Sequence, residues 1–240
     1  MSLAPDVPAV TSAVAAVDAA DLERRFGGLK RLYGARGYAR VRAARVAVVG
    51  LGGVGSWAVE ALARRIADIH PGCVVHCIEE FADADNWPGL LPIEIDAVID
   101  ACDQSKAKLA LAAWARRSGA AFVTCGAAGG KRHAEKIEIE DLHATTHDPL
   151  LASLRQRLRS QHGAPRTGKI GVRCVFSRES VAPPEPEEAA CEIGDDGDAT
   201  TSADTRRDNT LNCHGYGSTV VVTASFGMAA AGEIVTQLLK

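Results

Sequence analysis

The stretch VAVVGLGGVGSWAVEALAR, Val46 to Arg64, constrains this chain more than any other. Its first residues are a short β-branched run, the pattern of a strand buried on both faces of a parallel sheet. Gly50, Gly52 and Gly55 follow as G-x-G-x-x-G, and a helical pattern begins at Ser56. In that setting the first glycine permits a tight turn, the second lets backbone approach a phosphate, and the third lets the helix pack close on the strand. The helix N-terminus then faces the anion. A nucleotide-binding strand–loop–helix unit is expected, with a ligand-free glycine turn as the plainer alternative.

The chain continues the alternation. A basic helix over Asp21–Arg45 precedes the loop. After it come a helix over Ser56–Ile69, broken at Pro71-Gly72, and a strand over Cys73–Ile78. DAVIDACD reads as a central strand, SKAKLALAAWARRSG as an amphipathic helix ended by Gly119, and AAFVTCG as another strand. KIEIED alternates like a half-exposed strand, DPLLASLRQRLRSQHG is helical, and GKIGVRCVFS is a strand. Tyr216 to Gly232 is apolar but shorter than the roughly 20 residues of a membrane span, so it reads as a core helix and no membrane span is expected. This order implies an α/β fold: a Rossmann-like, doubly wound, mostly parallel sheet with helices on both faces. One domain is expected over residues 21–240, after a flexible tail over 1–20. Residues 183–208, rich in Pro, Glu, Asp, Ser and Thr, read as a disordered acidic loop.

Seven cysteines, with no secretory pattern before them, suit reduced thiols and a cytoplasmic location. Cys73 and Cys77 form a lone C-x3-C, so no zinc site is expected. Cys125 and Cys174 read as buried thiols. A net charge of −3 argues against a surface wholly committed to nucleic acid and leaves room for a local basic patch.

The nucleotide itself is suggested by DAVIDACDQSKAK, which puts Asp100, Asp103 and Lys106 at the carboxyl end of a central strand, where such sheets bind ligands. A carboxylate there can hold Mg²⁺ against phosphates and a lysine can neutralise them. NAD chemistry needs neither, and no hydride-transfer constellation stands out, so an NAD-dependent oxidoreductase is the remote alternative. Asp103 could also simply cap the following helix.

In order along the chain, RRFGGLKRLYG, VAVVGLGGVGSWAVEALAR, VIDACDQSKAKLAL, FVTCGAAGG, DPLLASLRQRLRS and GKIGVRCVFS resemble the bacterial tRNA threonylcarbamoyladenosine dehydratases, within the ubiquitin-activating-like adenylating enzymes. The resemblance implies ATP-dependent adenylation of the threonyl carboxylate of the modified adenosine, then ring closure with loss of AMP. It implies ATP with Mg²⁺, a monovalent cation as a further candidate, a tRNA substrate and a homodimer, with a cysteine desulfurase as a candidate partner. By position, Gly50, Gly52, Gly53 and Gly55 would line the phosphate loop and Asp103 would engage Mg²⁺–ATP, with Lys106 beside it. Arg25 or Arg31 would reach the ATP phosphates of a partner subunit, or be solvated helix charges. Arg155, Arg157, Arg159, Arg166, Lys169 and Arg173 would form a phosphate strip for tRNA, or a solvated face. Cys213, in NCHGYGS, is a candidate for a sulfur relay.

One block of that resemblance is absent. After ALARR the chain joins directly to a segment resembling the end of a later helix, omitting roughly 25–40 residues by ordinary element lengths. That block holds the ribose-binding acid, an arginine and a lysine. Two threadings follow. The strand over Cys73–Ile78 moves into the vacant place, and Glu79, 24 residues past Gly55, takes the ribose. Alternatively, that strand keeps its own place and the sheet has a gap, which is the preferred reading. An inactive or weakly active nucleotide- or tRNA-binding remnant is the corresponding alternative function.

Overall fold

A computed structural model describes residues 19–59, 74–181 and 217–240. The acidic loop, Cys73 and Cys213 lie outside the described residues, as does almost all of the tail. Among the described residues, five strands form one sheet: β1 (Val46–Val49), β2 (Ala97–Asp100), β3 (Ala121–Cys125), β4 (Ile137–Asp141) and β5 (Arg173–Ser177), in the order β1-β2-β3-β5-β4. β1, β2, β3 and β5 run parallel, and β4 pairs antiparallel with β5 at one edge.

Alternation along the strands divides the core between the two faces. Val98, Phe122, Cys174 and Phe176 pack on one face against α3 (Ser105–Ser118) and α4 (Pro149–Gln161). Ile99, Val123 and Val175 pack on the other against α2 (Gly55–Val59) and α5 (Val220–Leu238). α3 forms because Lys108, Leu111, Ala112 and Ala115 share one buried stripe. It ends where Gly119 turns left-handed (φ 72°). Asp148 caps α4 by accepting the Leu151 N–H, with Pro149 in the first turn, where its missing N–H costs nothing. α1 (Ala19–Ala43) is broken at Gly34 (φ 72°) and reaches α5, where Arg40 donates to the Leu239 carbonyl. α5 is long and apolar enough to cross a membrane, and its Val222, Phe226, Ala230 and Ile234 are buried in this core.

The strand expected over Cys73–Ile78 is corrected. Residues 74–79 belong to no strand, Val74, Val75 and Ile78 are exposed, and the described β1 pairs with β2 alone. A β-branched run becomes a strand only when a neighbouring strand takes its backbone groups, and among the described residues no strand is laid against this one.

Asp141 closes the β4–β5 edge. Buried to 5% exposure, it accepts N–H bonds from Ile170 (2.9 Å) and Gly171 (2.7 Å), in the loop entering β5, and from His143 (3.0 Å). Burial alone would raise its carboxyl; these donors and the His143 ring outweigh it and hold it below the usual range. A carboxyl depressed on folding stabilises the protein above its unfolded pKa of about 4 and loses that contribution as pH falls through the folded value. Asp141→Asn should lower stability by about 1.5–3 kcal/mol at neutral pH. It should also shrink the acid-induced loss below about pH 4, both read from urea unfolding across pH.

Candidate nucleotide site

The carboxyl ends of β1, β2 and β3 open into a cleft of about 1540 Å³. Its walls there are Gly50–Val54 after β1, Ala101–Gln104 after β2 and Gly126–Gly129 after β3. These three turns meet because parallel strands place all their carboxyl ends on one edge.

The glycines divide into two kinds. Gly50 has φ 88°, and a Cβ there would stand 2.7 Å from the Cys102 nitrogen and 2.8 Å from its Cα. A Cβ on Gly55 would lie 1.7 Å from the Gly50 carbonyl oxygen. Both positions are closed by backbone that cannot yield. Gly52 by contrast meets nothing within 4 Å, and Gly53 only the Thr223 methyl at 3.4 Å. Gly50 and Gly55 build the turn, while Gly52 leaves its backbone open to a guest.

Beneath the loop after β2 sits a buried charge cluster. Asp100 and Lys108 have no exposure and meet at 2.8 Å. The remaining Lys108 donors go to Thr124 Oγ1 and the Cys125 carbonyl, each at 2.9 Å, so the ammonium is fully satisfied. Burial alone would lower the Lys108 ammonium, but the Asp100 carboxylate overrides it and the net shift is upward. Burial and the same carboxylate push the Cys102 thiol well up, and burial pushes Cys125 up to about 12, so neither is a thiolate nucleophile at neutral pH. Asp148 braces the third wall: it accepts the Ala127 N–H at 2.8 Å, and Gly126 leaves it room, since a Cβ there would lie 2.0 Å from its Oδ2. Burial raises the Asp148 carboxyl against these bonds.

Among the residues expected at the site, Gly50, Gly52, Gly53, Asp103 and Glu79 line the cleft, and Gly55 lies buried behind it. Glu79 is exposed, on the segment that belongs to no strand. Lys106 is exposed and does not line the cleft. Arg31 is exposed on α1, also outside the cleft; the Arg25 side chain lies outside what is described. Asp100, expected beside the ligand, is instead buried against Lys108. The basic strip also breaks up. Arg155 turns inward to the Leu142 and Thr145 carbonyls, and Arg173 pairs with Glu233 at 2.9 Å, whereas Arg166 and Lys169 stay exposed. Cys125 and Cys174 are buried, as read from sequence.

The model of the ThiF family matches residues 59–240. The tRNA threonylcarbamoyladenosine dehydratase of Escherichia coli (strain K12) is 34% identical over 258 positions, covering 90% of this chain and 94% of that protein. The chain belongs to the ThiF family, among the tRNA threonylcarbamoyladenosine dehydratases. The Haemophilus influenzae enzyme of that name is 33% identical, covering 91% of this chain and 94% of its own length. Crystal structures of the E. coli enzyme in complex with AMP and with ATP each superpose with a TM-score of 0.74 at 31% identity, covering 93% of this chain and 97% of theirs. An alignment of 258 positions exceeds this chain's 240 residues, so it opens gaps in the chain relative to the E. coli enzyme.

The two kinds of glycine separate by mutation. Gly50→Ala should cost roughly 2–6 kcal/mol through left-handed strain and overpacking, seen as a large fall in Tm. Gly52→Ala should leave stability within about 0.5 kcal/mol and lower ATP affinity by about tenfold or more, read by calorimetric titration.

Proposed function

We propose that this chain catalyses ATP-dependent dehydration of threonylcarbamoyladenosine in tRNA. The observation that carries this reading is the near-full-length match to E. coli dehydratase structures holding ATP and AMP, together with a glycine turn whose Gly52 backbone is open to the cleft. A threonyl carboxylate oxygen attacks the α-phosphorus of ATP, and the bond to pyrophosphate breaks. A carbamoyl nitrogen or oxygen then attacks the acyl carbon, closing the ring and expelling AMP as the attacking group loses its proton. Both steps need positioning and charge neutralisation rather than a nucleophilic thiol, in keeping with thiols held protonated by burial.

Asp103, which lines the cleft after β2, would engage Mg²⁺ carried by ATP, and the ion would neutralise phosphate charge. We further propose a homodimer in which Arg25 or Arg31 serves the partner's phosphates. The exposed position of Arg31 outside its own cleft supports this. A monovalent cation and a cysteine desulfurase partner are proposed in the same way, and Arg166 and Lys169, exposed members of the basic strip, are proposed to meet tRNA phosphates.

The specific observation favouring a weakly active remnant is that, among the described residues, β1 pairs with β2 alone and residues 74–79 form no strand. Release of AMP and pyrophosphate with and without threonylcarbamoyl-modified tRNA decides between them. Release of one AMP per ring closed, only with modified tRNA, is expected; nucleotide binding without release would leave the remnant. Asp103→Ala should weaken Mg²⁺–ATP binding by at least about tenfold. Glu79→Ala should bind ATP as the parent does, because Glu79 is exposed on a segment that forms no strand with β1. A ten- to hundredfold loss there, roughly a charged hydrogen bond, would instead make Glu79 the ribose anchor.

A further inference from the structure

We infer that Asp100 is a positioning residue for the nucleotide site, holding the turn that carries Asp103 and backs the glycine loop. The inference rests on the nucleotide reading above and goes beyond it, because Asp100 is buried out of reach of any ligand.

Its two carboxylate oxygens have separate tasks. Oδ2 faces the sheet and α3, accepting from Lys108 Nζ at 2.8 Å and from Thr124 Oγ1 at 2.6 Å. Oδ1 faces the turn, accepting from the Cys102 N–H at 3.1 Å and the Cys102 thiol at 2.8 Å. A carboxylate rigidly held by one oxygen becomes a fixed anchor with the other. What it anchors is the joint of the site. Cys102 precedes Asp103, and the Cys102 backbone is what closes the space around Gly50. The Ala101 N–H bonds the Val49 carbonyl at 2.9 Å, so the same turn is sewn to the end of β1. From the α3 side, Gln104 caps the helix without a side-chain bond, its carbonyl accepting the Lys108 N–H at 3.0 Å. Lys108 thereby acts on the cleft through Asp100, without entering it.

Two double variants separate anchoring from charge. Asp100→Leu with Lys108→Met removes the ion pair and the Oδ1 acceptor. Asp100→Asn with Lys108→Met removes the ion pair but keeps an amide oxygen for the Cys102 N–H and an amide N–H for Thr124. Amide hydrogen exchange on the nucleotide-free full chain is measured first. Cys102 should exchange slowly in the parent and the Asn/Met variant, and at least tenfold faster in Leu/Met. In calorimetric titration with Mg²⁺–ATP, Leu/Met should bind at least tenfold more weakly and Asn/Met within about threefold of the parent. Equal ATP affinity in parent and Leu/Met overturns the inference, as does equal weakening in both variants. If the Leu/Met variant does not fold, the parent alone decides: a Cys102 amide exchanging at the rate of an open loop overturns the anchor. A parent that shows slow Cys102 exchange and no ATP binding refutes the nucleotide reading and leaves the anchor standing.

Discussion

A lysine ammonium and an aspartate carboxylate, neither exposed to solvent, meet 2.8 Å apart at the carboxyl end of β2. Taking two such charges out of water costs several kcal/mol for each ion, and their attraction offsets this only when the remaining donors and acceptors are satisfied. Here they are: Thr124 Oγ1, the Cys125 carbonyl and the Cys102 N–H complete the set. The cluster therefore tolerates one arrangement of α3, β2 and β3. That arrangement delivers three turns to the same edge of the sheet, and every feature of the cleft depends on it.

Glycine supplies the second constraint, again through backbone. Gly50 and Gly55 bring β1, α2 and the turn after β2 closer than any side chain would allow, and Gly227 does the same between α5 and α2, where a Cβ would stand 2.7 Å from the Val54 carbonyl oxygen. Gly126 makes room for the Asp148 carboxylate that braces the third wall. The cleft is therefore bounded by main chain pressed against main chain. Such a boundary moves little where the glycine turn meets the turn after β2.

β1 stands at one edge of the described sheet. The E. coli dehydratase aligns over more positions than this chain possesses, and the exposed residues Val74–Ile78 line the cleft with β1 without belonging to a described strand. A free sheet edge presents unpaired N–H and C=O groups and is ordinarily covered. Among the described residues, the wall of the cleft that Val74–Ile78 contribute is irregular, whereas those after β2 and β3 follow directly from strands.

The sequence by itself determined the class of fold and the place of the nucleotide turn. Strand–helix alternation and the G-x-G-x-x-G spacing are local patterns, and glycine's backbone freedom is a property of the residue alone. The helix caps were equally legible, since Asp148 before Pro149 and Gly119 after the last apolar turn act within their own segments. Side-chain partnership was not. Asp100, Asp103 and Lys106 read alike as site charges, yet strand parity turns Asp100 toward α3, and the lysine that meets it is Lys108. The signal lay in the chain, because Lys108 falls on the same stripe as Leu111, Ala112 and Ala115. Only a packed sheet shows that a carboxylate waits beneath that stripe. Arg155 likewise reads as part of a basic strip until the turn at Leu142–Thr145 folds its carbonyls around the guanidinium. The β-branched run at 74–78 looked like a strand and is none, because a strand's hydrogen bonds belong to its neighbour. Local conformation is written into the residues; partners distant in sequence, and therefore which charges face the ligand and which hold the frame, exist only once the chain has closed on itself.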